Sequence, residues 1–212
     1  MKKKIFILMF ALVVLTGCSN IDKLAYDDIV SLTINSNEKI YNTYRKGYKF
    51  YLPKGLVISE KSDYNEYIRG VRENYYLYVD ILGHLNKREF TYEENSTSFY
   101  SKQIGNEEKK GYIEINLINS KYLVEIVYNY AKIEVMVEKD DLNTSITNAM
   151  IILASINYND AILENESSTV LNYHEKTIDI FKTHGKEKSN FLEYVEYDEY
   201  EEKEIPDYDV IK

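Results

Sequence analysis

The chain contains few of the residues that mark disulfide-rich or nucleic-acid-binding proteins. Among its 212 residues there are one cysteine, two prolines and no tryptophan. A single cysteine excludes an intramolecular disulfide framework. The formal net charge of −9 argues against nucleic-acid binding, because a basic face would have to supply the affinity. The apolar run Ile5–Leu15 is shorter than the roughly 20 residues that a membrane-spanning helix needs, so an uncleaved transmembrane anchor is disfavoured.

The N-terminus has the order of a bacterial export signal. Three lysines at positions 2–4 precede the apolar run, and Leu15-Thr16-Gly17-Cys18 follows it. This tetrapeptide resembles the lipobox of bacterial prolipoproteins. The resemblance implies a diacylglyceryl thioether on Cys18 and cleavage between Gly17 and Cys18. We therefore predict a signal peptide over residues 1–17, lipidation of Cys18, and attachment to the extracytoplasmic face of the cell membrane; the alternative is a coincidental cysteine near a secretory signal.

The composition of the remainder indicates a folded, acidic protein. Hydrophobic residues make up 44% of the chain, which is enough for a core. Removing the three signal lysines takes the formal charge from −9 to −12. Such a surface does not favour docking on anionic lipid, so we expect the acyl group on Cys18 to hold the protein at the membrane. The 22 tyrosines suit half-buried strand positions, and the composition is similar to that of low-GC Gram-positive bacteria.

The first half of the mature chain predicts one helix followed by strands. Apolar residues from Ile21 to Leu32 recur at helical spacing, and the polar run 35–37 ends that helix. A strand over residues 48–52 is closed by Pro53-Lys54-Gly55, and another begins at Leu56. Residues 75–81 alternate, with Leu77, Val79 and Ile81 on one face. That alternation is typical of a sheet with one buried face.

The second half predicts a meander and a closing helix. Apolar residues alternate over 113–117, 122–128 and 133–137 with short connections, which favours antiparallel neighbours. Asp140 or Asp141 is then a suitable helix N-cap. Leu142, Ile146 and Leu153 repeat at helical spacing, so this helix should be buried against the sheet. Residues 154–158 return as a short terminal strand.

Together these patterns predict an α+β fold in which an N-terminal and a C-terminal helix pack on an antiparallel sheet. The phrase Tyr48-Lys49-Phe50-Tyr51-Leu52-Pro53 before Gly55-Leu56-Val57-Ile58, with the helix ending Ile152-Leu153-Ala154-Ser155-Ile156, resembles the PsbP/Mog1 type of α/β/α sandwich. The likeness covers about residues 48–157. It implies a protein-binding or assembly module and carries no catalytic residues. The predicted organisation is 18–47 as anchor and N-terminal helix and 48–160 as the α+β domain.

The remaining residues differ in character. Residues 161–192 form a weakly patterned extension, in which Asn165–Thr169 has the polar composition of a linker. Residues 193–212 carry nine carboxylates against two lysines, a net charge of −7, with four interleaved tyrosines. Like charges at this density favour an extended, solvated tail. The alternative is a docking segment for a basic protein partner.

No catalytic, metal or cofactor motif is evident. Cys18 is committed to lipid, and the histidines His84, His174 and His184 lack metal-ligand spacing; His174-Glu175 opens a zinc-protease motif, but Ile178 stands where its second histidine belongs. There is no glycine-rich phosphate cradle and no Gly-x-Ser-x-Gly elbow. The Asp140-Asp141 pair is better explained as a helix cap than as a catalytic dyad. We therefore assign no catalytic, cofactor-binding or metal-binding residues.

Three functions follow as hypotheses. The first is a non-enzymatic, lipid-anchored binding or assembly module, favoured by the lipobox and by the absence of a catalytic motif. The second is a lipid-anchored solute-binding protein that serves a transporter. The third is an enzyme whose site is assembled only in three dimensions, for which a pocket with convergent carboxylates or a perturbed His84 would be the indication.

Overall fold

A computed structural model describes residues 21–36, 40–62, 64–106 and 108–170, with side chains described as far as residue 165. The predicted signal peptide (residues 1–17), Cys18, His174, His184 and the acidic residues 193–212 lie outside these residues. The described part confirms the predicted α+β class, with antiparallel sheets and packed helices. None of its helices is long and apolar enough to cross a membrane.

The main sheet has seven antiparallel strands in the described residues. They are β3 (Val57–Ser62), β4 (Asn65–Arg69), β5 (Asn74–Val79), β6 (Tyr100–Gly105), β7 (Lys110–Ile118), β8 (Lys121–Tyr128) and β9 (Ala131–Val137). Their spatial order is β3-β4-β5-β9-β8-β7-β6. Two antiparallel meanders, β3-β4-β5 and β6-β7-β8-β9, therefore join through the pairing of β5 with β9. The three predicted strands of the meander are confirmed as antiparallel neighbours.

A smaller sheet adjoins the main one. It contains β1 (Thr43–Arg45), β2 (Tyr48–Phe50) and β10 (Asn157–Tyr158), with β2 in the centre. The Arg45 guanidinium donates to both carboxylate oxygens of Glu66, each at 2.7 Å, and the Tyr48 hydroxyl donates to Oε1 at 3.0 Å. The Glu66 side chain is only 1% exposed, so this buried pair ties the small sheet to β4.

Two helices cover one face of the main sheet. They are α1 (Tyr26–Ile34) and α3 (Leu142–Ser155), which pack on each other and, through α3, on β8 and β9. Leu142, Ile146 and Leu153 are buried, as their helical spacing predicts. Asp141 occupies the N-cap position but makes no side-chain cap bond and instead pairs with Arg72 at 3.3 Å. The helix therefore begins where the sequence predicts, but the predicted side-chain capping bond from Asp140 or Asp141 is wrong.

Two further helices correct the predicted boundaries. The strand predicted to run through Ile81 stops at Val79, because the Asp80 carboxylate accepts from the Gly83 amide and opens α2 (Ile81–Leu85). Helix α4 (Asp160–Val170) occupies part of the residues assigned to a polar extension. Leu163 of α4 is fully buried, where it packs against Gly47 in the β1–β2 turn. The linker interpretation of residues 165–169 is wrong, since those residues continue this helix.

Candidate functional site

The second face of the main sheet carries a continuous row of polar and aromatic side chains. Directly paired residues project to the same face, and the strand register places one residue of each strand in line. In order across the sheet, this polar row consists of Glu60, Tyr67, Tyr76, Glu134, Glu125, Glu114 and Ser101. The opposite face is apolar, and there Leu77, Ile133 and Ile126 pair under the helices.

One end of the polar row is covered by the segment 86–99, which connects α2 to β6. Glu114, which is 2% exposed, holds this cover. Its Oε1 accepts from Ser98 at 2.8 Å, Asn116 at 3.0 Å and Asn95 at 3.2 Å, and its Oε2 accepts from the Tyr92 hydroxyl at 2.9 Å. Three of these four donors belong to the covering segment. A buried carboxylate with four donors is fully compensated, so Glu114 has a structural role.

Aromatic stacking also holds segment 86–99 against the sheet. The rings of Tyr92 and Tyr112 lie parallel at 4.1 Å between centroids, and Phe90 stacks beside them at 6.1 Å from Tyr112. The Tyr112 hydroxyl donates to Glu125 at 2.7 Å, and burial together with this carboxylate raises the Tyr112 pKa well above its usual range. Three glutamates on adjacent strands would repel one another if left bare. Hydroxyl and amide donors compensate Glu114 and Glu125, and Lys132, 3.5 Å away, compensates Glu134.

The other end of the row forms an open groove over β3, β4 and β5. We name it the tyrosine groove. It has a volume of about 430 Å³ and is lined by Glu60, Lys61, Ser62, Asn65, Glu66, Tyr67, Arg69, Tyr76, Leu77, Tyr78 and Glu134. The Tyr67 and Tyr76 rings lie 4.9 Å apart at an interplanar angle of 57°. Burial and the hydrogen bond with Tyr67 raise the pKa of Tyr76 to about 12, so Tyr76 carries a neutral hydroxyl at physiological pH.

The chemistry of the tyrosine groove is that of a binding surface. Its walls offer aromatic faces, which supply apolar contact area, and hydroxyl, amide and carboxylate groups, which orient a ligand. Three carboxylates, Glu60, Glu66 and Glu134, and two cations, Lys61 and Arg69, line it. Glu66 is already paired with Arg45, so the other two carboxylates and the two cations balance. Among the described residues no group of histidine, cysteine, aspartate or glutamate side chains has the arrangement of a metal site.

Of the three histidines, only His84 lies in the described residues. Its Nε2 is 2.7 Å from Asp160, and its ring stacks on Tyr158 at 3.8 Å. Burial is the largest effect on His84 and lowers its pKa, against the opposing hydrogen bond to Asp160. Its Nδ1 is buried without a hydrogen-bond partner in the described part of the chain. The neutral ring therefore carries its proton on Nε2, and His84 joins α2 to α4 outside the tyrosine groove.

The residues singled out from the sequence and the residues of the groove are different sets. Cys18 and the acidic tail lie outside the described residues, and His84 and Asp141 make structural pairs. Tyr76 and Glu134 appeared in the sequence only as the outward positions of alternating strands. Their convergence depends on the pairing of β5 with β9, which no local pattern specifies. The chain matches no protein-family model and no curated protein.

Proposed function

We propose that this protein is a membrane-anchored extracytoplasmic lipoprotein that acts as a non-enzymatic binding module. The lipobox-like sequence ending at Cys18 supports the anchoring. The resemblance to the PsbP/Mog1 type, drawn from a short strand phrase and the order of elements, supports a binding or assembly role. The tyrosine groove supports binding in particular and is the observation on which the proposal chiefly rests.

The composition of the groove favours an uncharged, hydroxyl-rich ligand such as an oligosaccharide. An aromatic face offers apolar contact to the carbon skeleton of a sugar ring, and tyrosine does so at small cost in conformational entropy. With Glu66 paired to Arg45, the other charged groups around the groove balance in sign, which gives no advantage to a strongly cationic or anionic ligand. Carboxylate acceptors and the donors Arg69 and Asn65 can instead satisfy hydroxyl groups.

Titration with a soluble N-acetylglucosamine tetramer tests this function. Chemical shifts of amides in β3, β4 and β5 should move on addition, and Tyr67→Ala should weaken binding about tenfold, because losing one aromatic contact costs about 1.4 kcal/mol. Tyr44→Ala is the matched control, since Tyr44 is a similarly sized exposed ring outside the groove. Binding that is absent, or equal in the two variants, would reject an oligosaccharide at this groove.

The anchoring has its own test. Metabolic labelling with a fatty-acid analogue should mark the wild-type protein, whereas Cys18→Ser should carry no label. Retention of the label in that variant would show that Cys18 is not the acylated residue.

A contribution of the acidic tail to partner binding is a separate question. Pull-down of membrane-proximal complexes with the full chain and with a chain lacking residues 193–212 addresses it. Loss of a basic protein partner from the shortened chain would support a docking role for the tail. Identical partner lists would contradict that role and leave the groove proposal intact.

A further inference from the structure

Exposed apolar side chains gather at one end of the main sheet. Of the nine large hydrophobic residues that are exposed in the described chain, five lie there. They are Ile21, Val57, Val71, Phe99 and Leu117, and we call this end of the sheet the apolar end. Val71, in the β4–β5 turn, is 90% exposed and Leu117 is 59% exposed. Single exposed apolar residues are ordinary, but five of them along one end of a domain suit a broad, flat apolar partner such as a bilayer surface.

Strand register places these residues at the same end of the sheet, in two groups, one beside β3 and β4 and the other beside β6 and β7. Val57 pairs with Arg69, the last residue of β4, and the β4–β5 turn that follows carries Val71. On the other side of the sheet, Leu117 pairs with Tyr122 near the β7–β8 turn. Phe99 immediately precedes β6, and its ring contacts Tyr122 at 4.9 Å. All of these positions lie at the end of the sheet where β9 finishes and the chain enters α3.

The start of the described chain is fixed at the same end. The Asn143 side chain, in the first turn of α3, donates to the carbonyls of Ile21 and Leu24, both at 2.8 Å. Cys18 precedes Ile21 by three residues, so their Cα atoms are at most about 11 Å apart by chain length. Any lipid on Cys18 is therefore confined to the neighbourhood of the apolar end.

Several acidic groups around the apolar end are paired, although the whole chain is acidic. Asp27 accepts from Lys102 at 2.7 Å, and that bond, together with one from the Tyr100 hydroxyl, lowers the Asp27 pKa. Elsewhere at this end, Lys121 lies 3.1 Å from Glu138. Neighbouring cations reduce the repulsion that these carboxylates would have with anionic lipid headgroups.

We propose that the apolar end is the membrane-facing surface of the protein, with Val71 and Leu117 in the headgroup region of the bilayer. This inference rests on the proposed lipidation of Cys18. The acyl group supplies the durable attachment, and the apolar end sets the orientation of the domain. The tyrosine groove, which extends along β3–β5 toward the opposite sheet end, is then held open to the extracytoplasmic space.

The lone native cysteine makes the orientation measurable. When Cys18 is acylated, a cysteine introduced elsewhere is the only thiol available to a fluorescent label. The test uses the full-length lipidated protein in phosphatidylglycerol-containing vesicles that include a headgroup-nitroxide lipid, with Val71→Cys and Leu117→Cys as test variants. Glu108→Cys is the matched control: it is exposed just before β7, whose first residue, Lys110, lies about 24 Å from Leu117 along the strand.

Labels at positions 71 and 117 should lose most of their emission to the nitroxide, whereas the label at position 108 should lose almost none. Equal loss at all three positions, or greater loss at position 108, would overturn the orientation. Two controls report anchoring independently of orientation. The protein should float with the vesicles, and the wild type should take up no thiol label because Cys18 is acylated. A wild type that labels at Cys18 and does not float would reject both proposals, whereas a floating protein with uniform quenching would reject the orientation alone.

Discussion

Removing the carboxylate of Glu114 should release segment 86–99 from the second face of the main sheet. Glu114→Ala deletes an acceptor for four donors, three of which come from the segment 86–99. Glu114→Gln keeps one carbonyl oxygen in the same place. It can still accept the bonds from Asn95, Ser98 and Asn116, but its amide replaces the oxygen that Tyr92 contacts.

The number of hydrogen bonds lost, and the charge on their acceptor, set the expected loss of stability in each variant. A hydrogen bond to a charged group contributes about 1.5–3 kcal/mol, and bonds that share one acceptor are not additive. The covering segment can expose its donors to water once it lifts, which limits the loss. Relief of repulsion with Glu125 on the neighbouring strand offsets a further part. We expect Glu114→Ala to lower the free energy of unfolding by about 3–4 kcal/mol and Glu114→Gln by about 1–2 kcal/mol.

Urea unfolding measures the two free energies, and amide hydrogen exchange shows where the protection is lost. Exchange should accelerate in residues 86–99 before it does so in β7 or β8. Glu93→Ala is the control, since Glu93 is an exposed carboxylate of the same segment and should change stability by less than about 0.5 kcal/mol. An alanine variant as stable as this control, or uniform acceleration of exchange across the sheet, would refute the role assigned to Glu114.

Three further changes test other contacts. Leu163→Ala should lower the free energy of unfolding by about 3 kcal/mol in urea, because it leaves a cavity under α4; an unchanged midpoint would mean that α4 is not docked. Arg45→Ala should cost about 3 kcal/mol, since it leaves the buried Glu66 carboxylate without its guanidinium, and a wild-type unfolding curve would contradict this. The lowered pKa of His84 means that stability is lost as pH falls below about 6.5, where the unfolded chain takes up a proton first. His84→Gln should flatten the decline of Tm between pH 7 and pH 5, and an unchanged slope would assign the decline to other groups.

Local pattern was enough to predict the meander and the buried helix. Alternation set the faces of β7, β8 and β9, and the two-residue turns at Asn119-Ser120 and Asn129-Tyr130, all with positive φ, set their register. With that register, Glu114, Glu125 and Glu134 must lie side by side. This part of the candidate site was therefore implicit in the sequence, because strand period and turn length together determine cross-strand pairs.

The groove could not be found in the same way. Tyr76 meets Glu134 only because β5 pairs with β9, and these strands are separated by more than fifty residues that include α2 and the covering segment. Such a pairing is decided by tertiary packing rather than by local sequence. Strands β1, β4 and β6 were not predicted from the sequence, and β4 forms the centre of the groove.

Helix α4 shows a second limit. Its polar composition at residues 165–169 is typical of a linker, and intrinsic propensity gave little support for a helix. A single buried leucine, Leu163, and the pairing of Asp160 with His84 hold its first turn against the domain. The helix depends on tertiary contacts, which outweigh weak local preference.

The intact mass of the protein extracted from membranes tests the central claim most directly. A membrane-anchored lipoprotein should have lost residues 1–17 and should begin at Cys18 with the added mass of a diacylglyceryl group. Residue Cys18 should also be resistant to thiol reagents in that preparation. A species that retains Met1–Gly17, or one that begins at Cys18 with an unmodified thiol, would contradict the claim.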